Sequence, residues 1–121
     1  MIMEPRLSML DLITCLSNVI DLISPTVVNH HSHVAYISLK LGEELGLPQP
    51  KQAQLAISGL LHDIGALSLK ERLESLKFDF TDSQRHAERG YYYLKVFDPL
   101  AHVAEHIRHH HTPWNYESFS L

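Results

Sequence analysis

Ten of the 121 residues are histidine, several times the usual share, and imidazole is the side chain best suited to hold a transition metal near neutral pH. The candidates for chemistry fall on four separate segments: His30, the His62-Asp63 dipeptide, His86, and the His110-His111 pair. Imidazole together with carboxylate suits Zn, Fe, Mn or Ni better than Ca or Mg. Six ligands exceed the four of a closed structural zinc site. Two divalent ions fit the excess, with Asp63 as the bridging carboxylate, His30 and His62 on one ion, and His86, His110 and His111 on the other. Metals about 3.5–4 Å apart clamp and activate a water for in-line attack on phosphorus. Taken singly, a core-facing histidine is more often a packed, hydrogen-bonded residue. Four elements sending histidines to one interior favour a site.

The elements that must position these side chains are helices, because the hydropathy period is helical nearly throughout. Leu10, Ile13, Leu16, Ile20 and Ile23 predict an amphipathic helix over about 7–24, ended by Ser24-Pro25. Val34, Ile37, Leu41 and Leu45 predict a second over about 29–45, stopped at Gly46-Leu47-Pro48. His30 continues that stripe, with His31 and His33 flanking it. Pro50 opens a third helix, apolar nearly all round, that carries Ala53, Ile57, Leu60, Leu61 and Ile64 to Gly65. His62-Asp63 lies near its end, where Ser58 and Gly59 leave space. A short helix over about 68–76 precedes the turn Asp79–Asp82, from which Thr81 or Asp82 caps a fifth helix with His86, Gly90, Tyr93 and Phe97 on one face. Asp98-Pro99 starts a last helix whose stripe is Leu100, Val103 and Ile107, with His110 and His111 straddling it. His102, His106 and His109 fall on its solvent side, and of the three tyrosines 91–93 only Tyr93 faces inward, for aromatic packing. The fold class is all-α, with about six helices.

Composition narrows the function classes. A length of 121 residues with 45% hydrophobic content is one globular domain that needs no disulfide to fold. A net charge of −4 without a basic run argues against binding a nucleic-acid polymer. Nothing reads as a secretory signal or a membrane span, and one cysteine, Cys15, reads as inert packing in a reducing compartment; a cytoplasmic protein is expected.

His30 followed by Val34-Ala35, then Leu61-His62-Asp63-Ile64-Gly65, then His86 with Gly90 four later, then His110-His111, resembles the HD superfamily of metal-dependent phosphohydrolases. The order is closest to the HD-GYP branch of bacterial cyclic di-GMP phosphodiesterases. The resemblance spans about residues 26–116 and divides the chain into an N-terminal helix, 1–25, packing on an HD-type domain, 26–121. It implies an HD-like helical bundle and a binuclear site of His30, His62, Asp63, His86, His110 and His111. His62 and Asp63 lie at the catalytic centre, and metal-activated water hydrolyses a small phosphoester or cyclic dinucleotide.

The departures from that branch are specific. Ala66 stands where a phosphate-contacting Lys follows His-Asp-Ile-Gly, and Thr26 where a Glu can join a third metal. Thr112-Pro113-Trp114-Asn115-Tyr116 replaces the Glu-x-x-Asp-Gly run before the Gly-Tyr-Pro loop. The loop and the final Asp ligand have no counterpart before Leu121, which reads as a domain lacking its C-terminal part and favours a homodimer or an exchanged element covering the core. The leading expectation is a phosphohydrolase of HD-GYP type. The rivals are an HD-fold signalling module that binds metal without turnover, and a mononuclear HD nucleotidase in which His86, His110 and His111 are spare.

Overall fold

Ser8 starts the first helix by accepting a hydrogen bond from the Asp11 amide at 3.0 Å, and the Asp11 carboxylate suits the positive end of the helix dipole. Helix α1 then runs Met9–Asp21. The computed structural model describes residues 3, 6–22, 28–66 and 80–113, and all regular structure among them is helical. Expectations for Ser24-Pro25, Thr26, a helix over 68–76, the start of the turn at Asp79, and Trp114 through Leu121 lie outside the described residues. The chain divides into two compact units, Met1–Leu61 and His62–Leu121.

In the first unit α1 packs on α2, His30–Glu44, and on α3, Gln49–Leu61. Gly46 ends α2 in the left-handed region, φ +66°, where a side chain is strained. Its amide reaches the Glu43 carbonyl and that of Leu47 reaches Gly42, so the last carbonyls of α2 are satisfied. Pro48 then accepts from the amides of Lys51 and Gln52, which opens α3.

The buried stripes differ from the expected ones. On α2 the buried residues are His31, Ala35 and Gly42, while Ile37 and Leu41 are exposed; the stripe is one position C-terminal of the one through His30, Val34 and Leu41. The reason is close helix packing: a Cβ on Gly59 of α3 would lie 2.6 Å from the Ala35 Cα, so the two backbones meet and only small residues fit between them. Gly59 thus serves the α2–α3 contact. On α1 the buried line is Ile13, Ser17 and Asp21, with Leu10, Leu16 and Cys15 exposed, so Cys15 is not a packing residue. Helix α3 is buried only at its C-terminal end, from Ser58 to Leu61.

The second unit opens with a turn over 62–65, closed by the Ala66 amide on the Asp63 carbonyl at 2.9 Å. The third helix therefore stops at Leu61 instead of Gly65, and His62-Asp63 sits in the turn beyond it. Helix α4 runs Phe80–Lys95, so Thr81 and Asp82 lie inside its first turn. Its inward residues include His86, Ala87, Gly90, Tyr91 and Leu94; Tyr91, not Tyr93, faces in. The last helix is two pieces, a 3-10 helix Asp98–Val103 and α5, Ala104–Arg108. Pro99, which has no amide hydrogen, fits the first turn of the 3-10 helix. Leu100, Val103, Ala104 and Ile107 are buried there against α4, and His102, His106 and His109 are exposed. No helix among the described residues is long and apolar enough to cross a membrane.

Candidate metal centre

Three segments of the second unit bring imidazoles to one carboxylate. The 62–65 turn presents His62 and Asp63, α4 presents His86 from its buried face, and the turn after α5 presents His110 and His111. The turn is held against α4 by backbone contact: a Cβ on Gly65 would fall on the His86 carbonyl oxygen and 2.6 Å from the Gly90 amide nitrogen. Glycine at 65 is what lets Asp63 come this near to His86.

The geometry is tight. Asp63 Oδ1 is 3.2 Å from His86 Nε2 and 3.4 Å from His110 Nε2, while Oδ2 is 3.1 Å from His62 Nε2. His86 Nε2 is also 3.2 Å from His110 Nε2 and 3.0 Å from His111 Nε2. One ligand atom each from Asp63, His86, His110 and His111 can be chosen so that all four lie within 4.8 Å of one another. Asp63 and His86 are buried, and His62, His110 and His111 are half-buried.

Proton placement tests whether a cation belongs there. His110 Nδ1 lies 2.5 Å from the Ile107 carbonyl and can only donate to it, so neutral His110 carries a bare lone pair on Nε2. That lone pair faces Asp63 Oδ1, which is also an acceptor. Two acceptors at this range repel unless a positive charge lies between them. Burial, then the neighbouring His110 and His86, lowers the pKa of His111 to about 4, so at neutral pH its imidazole is uncharged and can offer a lone pair to a metal. A ring nitrogen fixed by a backbone carbonyl, with its other nitrogen aimed at a shared point, is the usual preparation of a metal-binding histidine. The residues therefore fit a divalent ion held by Asp63, His86, His110 and His111, with His62 on the other carboxylate oxygen.

Comparison with known proteins agrees with that chemistry. The HD domain family model matches residues 27–119. The chain belongs to the HD domain family. This HD domain is also 29% identical over 104 residues to the 3'3'-cGAMP-specific phosphodiesterase 1 of Vibrio cholerae serotype O1. The match takes in 84% of this chain and 24% of the relative, so the HD domain spans about a quarter of that protein's length. No solved structure matches.

His30, the remaining sequence candidate, is the first residue of α2 in the first unit, half-buried, with its ring 5.7 Å from that of His31. Sequence reasoning passed over His31 and Asp21, both buried and in contact at 2.7 Å. The signal was present: Asp21 stands four residues after Ser17 and eight after Ile13, on the stripe that proves to be buried. It also passed over the Ile107 carbonyl, which no side-chain pattern marks.

Proposed function

We propose that this HD domain is a metal-dependent phosphohydrolase of HD-GYP type acting on a small phosphoester, with cyclic dinucleotides as the substrate class. The observation that carries the reading is the division of the Asp63 carboxylate, one oxygen toward His86 and His110 and the other toward His62. A carboxylate addressed from both sides by imidazoles suits a bridge between two ions. In this reading His86, His110 and His111 hold one ion, and His62 with His30 holds the other; His30 enters through its place in the family motif. Such ions supply Lewis acidity to a phosphoester oxygen and lower the pKa of water.

The protein's own groups do the rest. Asp63 would tie the two ligand sets to one carboxylate, and its single negative charge would leave the ions a net positive charge that attracts a phosphate. Neutral imidazoles, His111 among them, leave the positive charge to be met by substrate. The Ile107 carbonyl holds the His110 ring in one tautomer, so no reorientation is needed when substrate arrives. Support for the cyclic dinucleotide class comes from the relative, whose name specifies 3'3'-cGAMP.

A second reading has its own observation. Ala66 is buried, follows the His-Asp-Ile-Gly run directly and offers no cation to a phosphate, which favours an HD module that binds metal without turnover. Metal analysis of the purified protein, followed by assays on bis(p-nitrophenyl) phosphate, 3'3'-cGAMP and cyclic di-GMP, separates the two. The proposal expects about two equivalents of transition metal and hydrolysis of at least one cyclic dinucleotide. Metal at full stoichiometry without hydrolysis selects the silent module. Less than one equivalent after reloading removes both.

A further inference from the structure

Helix α2 begins without a cap of its own. Asn29 stands at its N-cap position in the left-handed region, φ 60°, and its side chain makes no capping hydrogen bond. The amides of a first helical turn nevertheless need acceptors. At His31 the acceptor comes from α1: Asp21 Oδ2 takes the His31 backbone N–H at 3.0 Å, and Asp21 Oδ1 takes His31 Nδ1–H at 2.7 Å. The two side chains are 3% and 0% exposed, so neither bond competes with water. As the last residue of α1, Asp21 sits at the negative end of that helix's dipole, where a carboxylate is disfavoured. The positive end of α2 and the two hydrogen bonds reverse that preference.

The backbone N–H that Asp21 holds belongs to the peptide bond joining His30 to His31. Fixing that amide fixes the peptide plane and the place of the His30 Cα, and the helical backbone of His30 then sets the direction of its Cα–Cβ bond. The clamped His31 ring also stands beside the His30 ring, at 5.7 Å and 59°. We propose that Asp21 is the positioning residue for His30, setting its aim and thereby the affinity of the ion it ligates. This rests on the reading of His30 as a ligand.

The test is a titration of the full-length, metal-free chain with Co2+ alone, read from the visible d–d spectrum, for the wild type and for His30→Ala, Asp21→Ala and Asp21→Asn. Circular dichroism fixes a temperature at which each variant is fully folded. His30→Ala is expected to lose one Co2+ equivalent or weaken it strongly. Asp21→Ala is expected to weaken the same equivalent about tenfold or more and to alter its spectrum. Asp21→Asn keeps an acceptor for the amide and a partner for Nδ1, so it is expected to stay within about threefold of wild type. A loss of stability alone does not change the spectrum of a folded site. If Asp21→Ala does not fold, Asp21→Glu, which keeps the buried charge but displaces both oxygens, serves in its place. Wild-type affinity and spectrum in the Asp21 variant, alongside a clear His30→Ala effect, overturn the positioning role alone. No effect from His30→Ala overturns the ligand reading and the positioning role with it.

Discussion

Gly65→Ala is the sharpest perturbation of the backbone that builds the candidate metal centre. The new Cβ would land on the His86 carbonyl oxygen, 2.6 Å from the Gly90 amide nitrogen and 2.9 Å from the His86 carbonyl carbon. All three obstacles are backbone, so no rotamer change relieves them. The 62–65 turn and α4 must instead separate by about 1.5 Å to reach ordinary contact. Overpacking costs about 1–3 kcal/mol, and a clash that side chains cannot absorb belongs at the upper end, about 3 kcal/mol. At roughly 4 °C per kcal/mol for a chain of this size, the melting temperature should fall by about 12 °C. The same retreat carries Asp63 away from His86, so transition-metal affinity should drop at least about tenfold. Gly46→Ala is the control, because Gly46 has φ +66° and nothing within 4 Å of a built Cβ. It should cost only the left-handed strain, about 1 kcal/mol, and leave metal affinity unchanged. The assays are thermal unfolding by circular dichroism and metal titration of the metal-free protein. A Gly65→Ala melting temperature within about 2 °C of wild type, or a larger loss from Gly46→Ala, would refute the argument from close backbone contact.

Two further expectations follow from the second unit. His111 has a folded-state pKa of about 4 against 6.5 for an ordinary imidazole, so between those pH values the unfolded chain binds the extra proton. Its contribution to stability is fully present above about pH 6.5 and is lost as pH falls toward 4; urea unfolding of metal-free protein should show a shallower pH dependence in His111→Gln, and an equal or steeper one counts against the buried neutral imidazole. A Cβ at Gly90 would meet Ile107 Cγ2 at 2.7 Å, a side-chain atom that Ile107→Ala removes. The double variant should therefore be at least about 1 kcal/mol more stable than the sum of the single losses, whereas strict additivity means the two sites do not touch.

The all-α class was legible because helical periodicity survives almost any packing detail. Which face of each helix is buried was legible only where large aliphatics do the burying. On the last segment Leu100, Val103 and Ile107 mark the core, and the positions of His110 and His111 can be counted from them. On α2 the same logic selects Val34, Ile37 and Leu41 and misses by one residue, because a close-packed helix pair buries what is small. The miss exchanged His30 for His31 as the fully buried histidine and hid the partnership with Asp21. A carboxylate on an otherwise apolar helix reads as an interruption of the pattern. Asp21 is instead part of the buried line, because α2 supplies the charge and the donors that make its burial tolerable.

The position of His62-Asp63 in a turn, not within a helix, also has a chemical consequence. On a regular helix adjacent side chains diverge by about 100°, so one of the pair would point away from any shared centre. In the 62–65 turn Asp63 instead offers Oδ2 to its own neighbour His62 and Oδ1 to His86 and His110. That turn is closed by the Ala66 amide on the Asp63 carbonyl, and its distance from α4 is set by two glycines meeting backbone to backbone. The fold therefore fixes the carboxylate by excluding side chains from one contact. Ligand identity alone would not make the proposed centre; the absence of a methyl group at residue 65 is what brings Asp63 within 3.2 Å of the imidazole at residue 86.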